Sequence, residues 1–141
     1  MAIALAMRLR TMRESQPAAL LLMSPVTDGT LSGPTLKTHL QLDPMIRRGW
    51  LEQGIHWYAA AGAVEHQPLQ NDLRGLPPML IQVGDRELLL SDSTRLAEHA
   101  SHCGVPCRLE IYAQRWHVFQ LQAFYLASSR AALMALARFA Q

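Results

Sequence analysis

Two side chains in this sequence have the types and spacing for acid–base work. The segment that follows the run Met79–Val83 contains Asp85, Glu87 and then Asp92. His117 stands 30 residues after Glu87, past the alternating run Cys107–Tyr112. A carboxylate that accepts a histidine ring N–H fixes the ring's tautomer. It also stabilises the imidazolium formed when the ring takes a proton from a nucleophile. A separation of 30 residues accommodates one helix and one returning strand, so two strand-end loops could carry the pair into one crevice. A plainer reading stays open, with Glu87 a solvated loop charge and His117 a satisfied, partly buried histidine.

Other candidates are weaker. Ser24, Ser91 and Ser93 lack the glycine-flanked turn that exposes a nucleophilic hydroxyl. Ser24 reads as the close of a strand and Ser91 as a helix cap. His99, His102 and Cys103 share one helix, but a metal site needs one or two more convergent ligands, so the histidines read as solvent-facing. Cys103 and Cys107 read as free, mostly buried thiols. Trp50, Trp57 and Tyr58 fit either the wall of an acyl pocket or plain core packing, and Arg47–Arg48 a solvated helix face.

These residues must be held by regular elements. Residues 1–14 read as a helix of strong helix formers whose first seven residues are apolar all round, which predicts burial on several sides. Ala18–Met23 is an unbroken apolar run of strand length and predicts a strand covered on both faces. Residues 24–43 read as a long loop. Asp43–Pro44 starts a helix, with Asp43 as N-cap, running to about Ala60. A second loop, 62–78, leads to a strand at Met79–Val83. Asp92 or Ser91 caps a helix through His102, Cys107–Tyr112 is a third strand, and 122–140 is a final amphipathic helix. That last helix offers Phe124, Leu126, Leu133, Leu136 and Phe139 to the core. Strands alternating with helices imply right-handed crossovers and a parallel sheet, with chemistry at the carboxyl ends of its strands.

Composition excludes several classes. Half the residues are hydrophobic and 17% are charged, so the chain is not predominantly disordered. A net charge of +2 is too small to imply a nucleic-acid partner. No apolar run reaches the ~20 residues of a membrane span. Met1–Met7 resembles part of a signal peptide, but Arg8, Arg10 and Arg13 follow the apolar stretch instead of preceding it. Two cysteines make no disulfide framework, and a reduced, cytoplasmic location is expected.

Four segments, in order, resemble the hormone-sensitive-lipase-like branch of the α/β-hydrolase esterases. They are Ser24-Pro-Val-Thr-Asp28, Asp43-Pro-Met45, Leu76 to Ser93 (LPPMLIQVGDRELLLSDS) and Trp116-His-Val-Phe119. The resemblance covers almost the whole chain. It implies the C-terminal half of an α/β-hydrolase, about three parallel strands with flanking helices, as a partial domain over residues 1–141. It implies hydrolysis of a small carboxylic ester without metal or organic cofactor, with Glu87 at the position of the catalytic acid and His117 at that of the base. Asp92 matches an acidic position just after the acid and reads more simply as a helix cap.

That family's nucleophile sits in a G-x-S-x-G elbow, which occurs nowhere in these 141 residues, and its glycine-rich oxyanion loop is absent too. Residues 1–14 resemble the helix that follows the elbow. The expectation is a chain that begins just past its nucleophile and is inactive alone. The alternative is a non-catalytic remnant that associates, through the open edge of the 18–23 strand, with another chain or with itself.

Overall fold

The computed structural model describes residues 1–59 and 67–141. Three strands, β1 (Leu20–Met23), β2 (Met79–Gly84) and β3 (Cys107–Tyr112), form a parallel sheet in the order β1-β2-β3. Helix α1 (Ala2–Thr11) precedes β1. Helices α2 (Thr35–Thr38) and α3 (Arg48–Ala59) lie between β1 and β2, α4 (Leu90–His102) lies between β2 and β3, and α5 (Ala127–Phe139) ends the chain. This is the expected alternation. The short α2 interrupts the predicted 24–43 loop.

β2 is the centre of the sheet. All six of its residues are buried, as an apolar run flanked by a strand on each side must be. Ile3 and Met7 of α1, Leu20 and Leu22 of β1, and Leu96 and Ala100 of α4 pack with Met79 and Ile81 on one face. The other face receives α5. There the buried Gln82 amide donates to the Ala132 carbonyl (2.9 Å) and to Glu110 (2.9 Å), while its oxygen accepts from Gln120 (3.0 Å). A buried amide is tolerated in the central strand because these partners satisfy it.

Three expectations of burial fail for one reason, which is that tertiary contact reaches only one side of an element. The first helix is apolar all round, yet only Ile3, Ala6 and Met7 are buried, and Leu5 is exposed. β1 was expected to be covered on both faces. Leu20 and Leu22 are buried while Leu21 and Met23 are exposed, because α5 packs on β2. Phe124 and Leu133 are exposed, and Phe124 lies before α5, whereas Leu136 is buried as expected. The first residue of α3 is Arg48, later than the Asp43–Pro44 signal placed it, and its predicted end at Ala60 lies outside the described residues. Neither Ser91 nor Asp92 caps α4, which has no side-chain cap hydrogen bond.

Candidate functional site

The site lies where the three strands end. After Gly84 the chain turns tightly, with Asp85 N–H bonded to Tyr112 O (3.1 Å) and Arg86 N–H to Arg115 O (3.0 Å). These bonds tie the loop after β2 to the loop after β3. Gly84 has no Cβ for a specific reason: one built there would lie 2.2 Å from Arg115 O. The two loops touch at their backbones, and that contact sets the distance between Glu87 and His117.

Glu87 is fully buried, and its two oxygens face different partners. Oε2 lies 3.2 Å from Nδ1 of His117, whose side chain keeps 18% of its surface exposed. Oε1 accepts the Ser24 hydroxyl (2.9 Å) and the Gly84 N–H. The solvated-charge reading of Glu87 is therefore excluded. Asp85 and Asp92 do not approach the histidine with a hydrogen bond among the described residues.

The residues around the pair hold its loop in place. Asp43, nearly fully buried, accepts the N–H groups of Met45 (2.9 Å) and Ile46 (3.2 Å) on Oδ1 and that of Leu88 (3.1 Å) on Oδ2. It thus caps its own turn and also anchors the residue after Glu87. Thr35 donates to Leu88 O (2.7 Å) and accepts the Ser91 N–H (3.0 Å). Asp92 turns away from its own helix, and its Oδ2 accepts Thr27 N–H (2.8 Å) and Asp28 N–H (3.0 Å). Burial pushes the Asp92 carboxyl upward, against the lowering effect of those two N–H bonds. Asp28 accepts from Thr30, Ser32 and, at 2.8 Å, Arg95. Burial opposes its ionisation, but those bonds outweigh it and hold the carboxyl well below the usual range.

Sequence reasoning undervalued Asp43, Ser24 and Thr35. The Ser-Pro step at the end of β1 and the Asp-Pro step at 43–44 were the available signals, and both read as boundaries. The remaining candidates do not join the site. His99 bonds Asn71 O (2.8 Å) instead of facing solvent, while His102 is exposed. Cys103 and Cys107 are free and half-buried. Arg48 pairs with Glu52 (2.9 Å) on the surface of α3. Trp50 and Trp57 are exposed at 68% and 73%, which excludes core packing for both. Trp50 and Tyr58 border a cavity of about 510 Å³ between the start of α1, the end of β1 and α3, and neither Glu87 nor His117 lines it. Among the described residues no helix is long and apolar enough to cross a membrane.

A three-stranded parallel core with a carboxylate–histidine pair at its strand ends agrees with the fold expected from the sequence. Residues 1–121 match the family described as having the alpha/beta hydrolase fold, and the chain belongs to that family. Within it the likeness is to esterases of the hormone-sensitive-lipase kind. The chain is 36% identical to an esterase of Acinetobacter venetianus, over 99% of this chain and 48% of that protein. It superposes on an esterase of the bacterial hormone-sensitive lipase family with a TM-score of 0.93 at 32% identity, covering 98% of this chain and 48% of that one. The crystal structure of EstE5 soaked in ethyl alcohol gives a TM-score of 0.94 at 30% identity, covering 99% and 48%. The chain therefore spans about half the length of the relatives it matches.

Proposed function

We propose that these 141 residues are the acid-and-base part of a serine ester hydrolase acting on small carboxylic esters. The observation that carries this reading is the hydrogen bond between His117 Nδ1 and the buried Glu87 carboxylate, with the ring as donor, in a chain whose relatives are esterases. In this reading His117 Nε2 takes the proton from a serine as the hydroxyl attacks the ester carbonyl. The same nitrogen then returns the proton to the departing alcohol. Glu87 Oε2 holds the ring with Nδ1 protonated, so that Nε2 presents its lone pair.

The serine and the oxyanion donors come from outside these residues, because no G-x-S-x-G occurs among them. Loss of the nucleophile costs about a millionfold in kcat in a serine protease. The isolated chain is accordingly inactive. Assay of the purified chain with p-nitrophenyl acetate tests this, and turnover that disappears in His117→Ala would overturn it. A positive test pairs the chain with an elbow-bearing segment of an esterase relative. Activity there should fall by orders of magnitude in Glu87→Gln, and unchanged activity would move the acid to Asp85 or Asp92. An in-frame Gly-Asp-Ser-Ala-Gly-like run in the DNA upstream of Met1 would identify the source of the serine. The two free thiols suit a reducing, cytoplasmic setting.

A second reading is favoured by β1. Among the described residues it pairs only with β2, and it exposes Leu21 and Met23. An open apolar edge promotes pairing with another chain or a second copy. Light scattering tests this, with Leu21→Lys expected to reduce association. A stable monomer at all concentrations would remove the reading.

A further inference from the structure

Ser24 is a buried hydroxyl that the reading above does not use. It sits at the carboxyl end of β1, 3% exposed, so it is not a surface nucleophile. Its Oγ donates to Glu87 Oε1 (2.9 Å) and accepts the N–H of Val118 (3.1 Å), the residue after His117. One atom at the end of β1 therefore touches both the loop carrying the acid, after β2, and the loop carrying the base, after β3.

The backbone pays a conformational cost for this placement. Ser24 has φ +47°, a region uncommon for residues other than glycine, and it precedes Pro25, which pushes the preceding residue toward extended backbone. Val118, its partner, also has a positive φ, +45°. Two such residues joined by one hydrogen bond beside a carboxylate–histidine pair are the kind of local strain that clusters at functional sites. The carboxylate needs such a hold. With Oε1 engaged by Ser24 and by Gly84 N–H, the plane of the group is fixed and Oε2 points at Nδ1.

We propose that Ser24 is a positioning residue: its hydroxyl sets the rotation of the Glu87 carboxylate and, through Val118, the place of the His117 ring, and so selects the Nδ1–H tautomer. This rests on Glu87 and His117 acting as a pair. The readout is the tautomer of the neutral His117 ring, measured by nitrogen-15 NMR on the full 141-residue chain. Ser24→Gly removes the hydroxyl while accepting the positive φ, and Ser24→Ala removes the hydroxyl while keeping the backbone strained.

Both variants should lower the ratio of Nδ1–H to Nε2–H tautomer by about 3- to 10-fold, the order set by one side-chain hydrogen bond. Glu87→Gln should reverse the tautomer. An unchanged ratio in Ser24→Gly, alongside reversal in Glu87→Gln, would overturn the role of Ser24 and leave the pair intact. A change in Ser24→Ala but not in Ser24→Gly would assign the effect to backbone strain and equally overturn it. An unchanged ratio in Glu87→Gln would instead remove the pair itself.

Discussion

Replacing Asp43 by alanine is the sharpest test of how the acid loop is held. The carboxylate accepts three backbone N–H groups. The bonds to Met45 and Ile46 are only part-buried, so water can take over those two N–H groups when the carboxylate goes, and that part of the loss resembles a helix cap at about 1 kcal/mol. Leu88 is fully buried. Its N–H has no route to water, and stranding a buried donor costs about 1–3 kcal/mol. The expected destabilisation is about 2–4 kcal/mol, a large share of the ~5–15 kcal/mol that holds a domain together. In urea, with a slope of about 2 kcal/mol per molar, the midpoint should fall by about 1–2 M. Asp43→Asn should lie between wild type and alanine. It keeps one acceptor oxygen but turns an N–H donor toward one of the two places the carboxylate served. Circular dichroism during urea titration measures both variants. If alanine shifted the midpoint by less than a few tenths molar, the three bonds would not be what secures the segment after Glu87.

Three further outcomes follow from the same geometry. Gly84→Ala places a Cβ against a backbone oxygen at 2.2 Å, while Gly33→Ala meets the Ser91 hydroxyl at 2.3 Å, a side-chain atom that can turn away at the cost of its hydrogen bond with Thr35. The first should cost about 1–3 kcal/mol and the second less. Equal melting temperatures for the two variants would refute the backbone contact. Asp28 is held below its ordinary value of 3.8, so the stability it contributes is present above about pH 4 and lost as pH falls further. Asp28→Asn should flatten that acid limb, seen as a shallower loss of melting temperature below pH 4, and parallel curves would count against it. Asp92 is shifted upward and acts with the opposite sign, its contribution fading as pH rises through its folded value.

Much of the framework was legible because its signals are local. β2 and β3 declared themselves by apolar continuity and by alternation, and both appear where expected. The places of α1 and α4 followed from strong formers bounded by proline and glycine, whereas α3 and α5 begin later than their signals and α2 falls in a predicted loop. Burial was less legible. The all-apolar start of the chain and the run at 18–23 both predicted cover on more than one side, but hydrophobic periodicity reports what a segment could bury, not which neighbours arrive. The caps at Ser91 and Asp92 failed for a related reason. Both side chains had better partners in the 24–43 loop, and a side chain takes whichever donors the fold brings near.

By itself, the sequence determined the order of the three strands and of the long helices around them, the hydrolase resemblance, and the two residues with the chemistry and spacing of an acid and a base. Those are properties of type, period and order, and they survive without coordinates. The tertiary structure decided that Glu87 is buried and faces His117, and that Ser24 and Asp43 meet its loop across 63 and 45 residues of chain. A hydrogen bond acts only over about 3 Å, and no local pattern reports which distant groups will come within that range. Packing three parallel strands side by side brings their carboxyl ends together, and that packing turns four scattered polar residues into one connected site.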